Sequence, residues 1–226
     1  MSTRAASLKP RKTPVQNRSA ATVEALHIAT IQVLTQQGLS RCTTTRVAER
    51  AGMSVGSLYQ YYPNRDALLA AVLKKHLEGI AGAVDRACRE HRRKPVSEMA
   101  SALVTVFIAA KLRNPAESKA LYAVAGERGG PELVADIHAR TVAIIAAMLA
   151  SAPDAHFDDP HMTGAIAFSA LVGPVRALLE GHVPPGFEAR LEGQLIRLLT
   201  AYLQTNQLQP QGAAKRRSRQ APMGRG

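Results

Sequence analysis

Asp154, His156, Asp158, Asp159 and His161 stand in one short stretch, and carboxylate oxygens and imidazole nitrogens are what divalent metals bind. Their spacing matches no recognised ligand pattern, so the stretch reads as an acidic loop between helices and no metal is expected. Other catalytic chemistries fail in the same way. No serine sits in a nucleophile-elbow context, no phosphate-cradling glycine loop follows a strand, and no carboxylate pair stands out. The sequence points away from an enzyme and implies no cofactor.

Recognition of a polyanion is the chemistry it does offer, between Thr43 and Leu69 in the run TTTRVAERAGMSVGSLYQYYPNRDALL. Val47, Ala48 and Ala51 recur at helical spacing and make the buried edge of a short helix. Gly52 stands where a helix end wants a left-handed residue, and Ser54 can cap the next helix. That second helix turns Leu58 inward. Val55, Gly56, Ser57, Tyr59, Gln60 and Tyr61 are left facing outward or flanking the core. Such a helix stabilises itself poorly but is well shaped for a DNA major groove, about 12 Å wide. Asn64 then caps a longer helix, where Asp66 suits the positive dipole end and Arg65 opposes it. A cation in that position reads as a phosphate contact, with a solvated surface arginine as the alternative.

The residues Thr44-Thr45-Arg46-Val47-Ala48, Ala51-Gly52-Met53-Ser54, Gly56-Ser57-Leu58-Tyr59, Tyr61-Tyr62 and Asn64-Arg65-Asp66-Ala67-Leu68-Leu69 closely resemble the DNA-binding segment of TetR-family transcriptional regulators. With the preceding helix the resemblance covers roughly the first third of the chain. It departs where the family usually carries lysine at the start of the fourth helix, here Arg65. The resemblance implies an all-α fold: an N-terminal three-helix helix-turn-helix DNA-binding domain, then a larger helical ligand-binding and dimerisation domain. It also implies repression relieved by a small molecule. On this reading Val55, Gly56, Ser57 and Gln60 lie near base edges. Thr44, Tyr59, Tyr61 and Arg65 lie at phosphates, with Thr45 and Arg46 as further candidates on the preceding helix.

Charge agrees with that placement. The chain of 226 residues has a net charge of +12. The first eighteen residues hold five basic and no acidic side chains, and so do the last twenty-two, whereas residues 96–204 hold eight basic and eleven acidic. A basic end joined to a mildly acidic body is what a polyanion-binding module on a neutral domain shows. Residues 1–17 are expected to be a disordered basic arm and 205–226 a disordered basic tail. Between them lie a DNA-binding domain over 18–78, with its motif at about 43–62, and a helical domain over 79–204. Cys42 and Cys88 read as reduced thiols, neither a secretory signal nor an apolar stretch of about 20 residues is evident, and the cytoplasm is the default location.

These residues must be held by helices. Periodicity predicts them at Ala20–Gln37, around the motif, from Asn64 to the basic stretch Arg86–Lys94, and then at Glu98–Arg113, Ala116–Ala125, Glu132–Ala150, Met162–Glu180 and Phe187–Leu203. Pro174 should kink the penultimate helix, and Arg176 and Glu180 should pair along it. Two such helices from each of two chains would form a four-helix dimer surface, so a homodimer on a palindromic double-stranded operator is expected. Phe107, Tyr122, His138, Met148 and Phe168 lie on or beside apolar faces of the middle helices. They are candidate linings for a small, largely apolar effector, with plain core packing as the alternative for each. The rival reading keeps the fold as a ligand-binding or scaffolding protein without DNA recognition.

Overall fold

Side-chain caps begin the helices where the sequence puts them. Thr43 accepts from the Arg46 amide, Ser54 from the Ser57 amide and Asn64 from the Ala67 amide, each satisfying a donor that the first turn leaves open. The computed structural model describes residues 17–205. The expected basic arm and tail lie outside them, apart from Asn17, which opens the first helix, and Thr205, which caps the last. In order come α1 (Asn17–Gln37), a single 3-10 turn (Leu39–Arg41), α2 (Thr44–Arg50), α3 (Val55–Tyr61), α4 (Arg65–Glu90), α5 (Val96–Leu112), α6 (Pro115–Ala125), α7 (Gly130–Leu149), α8 (Pro160–Glu180) and α9 (Phe187–Gln204). The fold is all-α, with no strand among the described residues. Gly52 takes φ 68° to end α2, which other residues adopt only with strain.

Two apolar cores organise these helices. The first gathers Leu26, Val33, Val47, Leu58, Leu68 and Leu73 from α1 to α4. The second gathers Val84, Met99, Leu103, Ile145, Leu171 and Leu199 from α4, α5, α7, α8 and α9. Helix α4 belongs to both: Leu68 to Leu73 lie in the first core, and Ile80 to Cys88 in the second. A boundary near residue 78 therefore falls inside one continuous helix. Leu121 and Val124 of α6 also join the first core, so a helix of the larger domain wedges against the smaller one.

Some expectations need correction. Helix α8 is long and apolar enough to cross a membrane by length and composition. Along it Leu171 and Val175 are fully buried, while Met162 and Ile166 are exposed. Pro174 lies inside the helix. In the acidic loop, Asp154 accepts the Val96 amide at 3.0 Å and so caps α5. Asp159 accepts the His161 and Met162 amides at 3.0 and 2.9 Å and opens α8. Those two carboxylates are helix caps.

Candidate nucleic-acid interface and ligand cavity

Helix α3 is pinned from beneath and open above. Leu58 is fully buried, and the Tyr62 hydroxyl just past the helix lies 2.7 Å from His27 Nε2 of α1. Burial pushes the Tyr62 phenol up to about 12 and lowers the His27 imidazole, so both groups favour their neutral forms. Gly56, Tyr59 and Gln60 lie on the exposed side. Tyr59 is 41% exposed, and its hydroxyl meets Thr44 Oγ1 at 3.2 Å, which joins α2 to α3 at the surface. Val55 and Tyr61 are half-buried and pack partly on the first core. Ser57 is half-buried too, its hydroxyl 2.9 Å from that of the capping Ser54. Thr45 is exposed, whereas exposed Arg46 already donates to Gln37 Oε1 at 2.7 Å.

Gly56 shows why the exposed side matters. A Cβ built there would meet only the Ser54 hydroxyl, at 3.8 Å, and the backbone has no positive φ. Glycine is a poorer helix former than alanine, and nothing inside the protein requires it here. A residue without a side chain lets another molecule approach the backbone.

Arg65, the expected phosphate contact, has acceptors within the protein. Its Nε donates to the Cys42 carbonyl at 2.7 Å, one terminal nitrogen to the Leu39 carbonyl at 2.9 Å, and the other to Glu127 Oε2 at 3.0 Å. The guanidinium is thus fixed among the 3-10 turn, the start of α2 and the loop after α6. A planar fork suits that set of acceptors, and the charge faces a carboxylate while the side chain stays 31% exposed.

A cavity of about 220 Å³ opens between α4, α5, α6, α7 and α8. It brings together four of the five expected lining residues. Phe107 and Phe168 meet edge to face with ring centres 5.5 Å apart, His138 lies 5.1 Å from Phe168, and Tyr122 lines the same space. Met148 does not: it is 1% exposed and packs inside the second core.

Polar residues that the sequence reading passed over also face the cavity. Lys111 is 5% exposed, and its ammonium lies 4.2 Å from the Tyr122 ring centre. Burial lowers its pKa to about 8. Among the described residues no carboxylate comes within ion-pair distance of it. The Tyr122 hydroxyl is buried without a hydrogen-bond partner, and burial pushes it up to about 12. Arg176 lies 5.2 Å from the same ring and pairs with Glu180 at 2.8 Å. His76 contacts Glu117 at 3.0 Å, joining α4 to α6, and burial followed by the Lys111 charge lowers its pKa. Helical spacing could have found Lys111, which follows Phe107 by four residues on the buried face of α5.

Known proteins share this architecture. A family model described as bacterial regulatory proteins of the tetR family matches residues 28–72, and one described as a tetracyclin repressor-like C-terminal domain matches residues 95–203. The HTH-type transcriptional regulator BetI of Paraburkholderia xenovorans (strain LB400) is 31% identical over 87 residues, which cover 38% of this chain. The chain spans 45% of that relative's length, less than half. A solved protein of unknown function from Rhodococcus sp. RHA1 matches 87% of this chain and 100% of its own, with TM-score 0.65 and 16% identity. A TetR-family transcription regulator from Marinobacter aquaeolei VT8 matches 82% of this chain and 96% of its own, with TM-score 0.63 and 17% identity. At that identity the likeness of the solved structures establishes the fold only. The two family models together cover more than half of the residues, and this chain belongs to the TetR family of bacterial regulatory proteins.

Proposed function

We propose that this protein is a sequence-specific, DNA-binding transcriptional repressor that a small-molecule effector releases from its operator. The observation that carries the reading is the outer face of α3. Gly56 has open space above it, and exposed Gln60 and Tyr59 flank it. Gln60 can pair with a base edge in the major groove, while the linked Tyr59 and Thr44 hydroxyls suit a phosphate. Fluorescence polarisation with duplex from upstream of the protein's own gene, against a scrambled duplex, tests it. Selective, salt-sensitive binding is expected. Gln60→Ala should cost about 1–3 kcal/mol and relax selectivity at one base pair. Tyr59→Phe should weaken both duplexes alike, because a phosphate contact carries no sequence information. Tight ligand binding with no preference between the duplexes would instead favour a protein of this fold that has lost DNA recognition.

The operator is proposed to be palindromic because the protein is proposed to act as a homodimer. Met162 and Ile166 of α8 and Leu198 of α9 are 58%, 46% and 53% exposed. Large apolar side chains left open on two long helices suit a four-helix bundle between copies. Leu198→Glu should give monomers in light scattering and remove binding to a two-half-site duplex, while the helical circular dichroism stays unchanged. A dimer that survives this substitution would place the interface elsewhere.

A further inference from the structure

We infer that the cavity between α4 and α8 takes an amphipathic monoanion, an apolar body with one carboxylate, whose head is held by the Lys111 ammonium and the Tyr122 hydroxyl. The inference deepens the effector reading above and rests on this cavity being the effector site. Most of the lining is apolar, with Leu73, Leu77, Ile80, Phe107, Phe168 and Val172 around the space. Such walls would suit a neutral hydrocarbon. Two polar groups among them do not. The Lys111 side chain is 95% buried, being 5% exposed, and no carboxylate among the described residues pairs with it. Buried charges are ordinarily paired. The Tyr122 hydroxyl beside it is a buried donor with no acceptor. The Tyr122 hydroxyl lacks an acceptor, and the Lys111 ammonium lies 4.2 Å from the centre of the same ring with no carboxylate paired to it; together they describe the complement of a carboxylate.

The position of the ammonium selects the head group. Arg176 already pairs with Glu180 at 2.8 Å, and His76 contacts Glu117 at 3.0 Å. Lys111 faces the space with no carboxylate within ion-pair distance among the described residues. A single ammonium suits a monoanion better than a phosphate dianion, and it repels a cation. The apolar walls then bury the body of the ligand, which supplies the non-directional part of the affinity.

Calorimetry on the full-length, DNA-free protein separates the possibilities, with decanoate, decan-1-ol and decyltrimethylammonium as probes of equal chain length. Decanoate is expected to bind about tenfold or more tighter than the alcohol, the scale of one charge-assisted hydrogen bond, and the ammonium probe should bind weakest. Lys111→Met should erase the preference for decanoate while the alcohol still binds. Tyr122→Phe, which removes one oxygen and leaves the ring, should reduce the preference several-fold. Equal binding of acid and alcohol by the unaltered protein would overturn the inference, as would tightest binding of the cation or a preference that survives Lys111→Met. Operator release is read separately by polarisation. Decanoate that binds through Lys111 without releasing the duplex supports the ligand class and counts against the effector role. Release by decan-1-ol with no decanoate binding supports the effector role and overturns the ligand class.

Discussion

Lys111→Met should raise the melting temperature of the ligand-free protein by several degrees at pH 7. The ammonium stands in a low-dielectric cavity without an opposing charge, and burial lowers its pKa from 10.5 to about 8. A fall of that size corresponds to about 3 kcal/mol of stability lost to holding the proton inside. Methionine fills a similar volume and removes the charge. It also gives up the attraction between the ammonium and the Tyr122 ring, worth about 0.5–2 kcal/mol. A net gain of about 2 kcal/mol remains, or about 4–8 °C for a chain of this size. The pH dependence carries the sign. Below about pH 8 both folded and unfolded protein hold this proton, and the cost is present in full. From there towards pH 10.5 the folded protein has lost the proton and the unfolded chain still binds it, so stability rises and the cost disappears. Differential scanning calorimetry of both proteins at pH 7 and pH 10 should therefore show a gap that narrows in alkali. A variant less stable than the parent at pH 7 would mean that the ammonium is well satisfied where it lies. Other titratable groups line the same space, with His76 on α4, Tyr122 on α6, His138 on α7 and Arg176 on α8, and Glu117 and Glu180 contact His76 and Arg176. Because both proteins contain them, comparing the pair isolates Lys111.

A residue left unpaired for a ligand costs the empty protein stability, and that cost is hard to see in a sequence. The caps Ser54 and Asn64 were legible because a cap acts on amides two or three residues away, and Gly52 because its backbone angle is a local demand. The long helices were legible because the spacing of their apolar residues records which face is covered. Periodicity cannot tell a face that packs against another helix from one that borders a gap. Phe107 and Met148 both lie on covered faces, yet only Phe107 reaches the cavity, because the gap is made by five helices, α4 to α8, together. Lys111 satisfies the same spacing four residues after Phe107, and its polarity hides that it is covered. Leu121 and Val124, which carry α6 into the first core, show the same limit. Their partners are distant in sequence, and nothing local marks them.

Arg65 brings that limit to a single side chain and supports the second large prediction. Its acceptors are the carbonyls of Leu39 and Cys42 and the carboxylate of Glu127, the last 62 residues away. Arg65→Ala removes the donor from all three at once. Charge-assisted hydrogen bonds each contribute about 1.5–3 kcal/mol, and the site keeps some contact with water, so a loss of about 2–3 kcal/mol is expected in urea unfolding. The slope of log affinity for DNA against log salt should not change, because no phosphate loses a cation. Were Arg65 a phosphate contact, that slope would fall by about one and stability would stay nearly constant. Arg65→Lys sharpens the distinction. Lysine keeps the charge and is the residue the family usually carries here, but a single ammonium cannot reproduce three bonds directed by a planar fork. The clamp reading expects lysine to recover only a minor part of the lost stability. Full recovery would mean that the charge opposite Glu127 is what matters, and that the two carbonyls are satisfied without the fork.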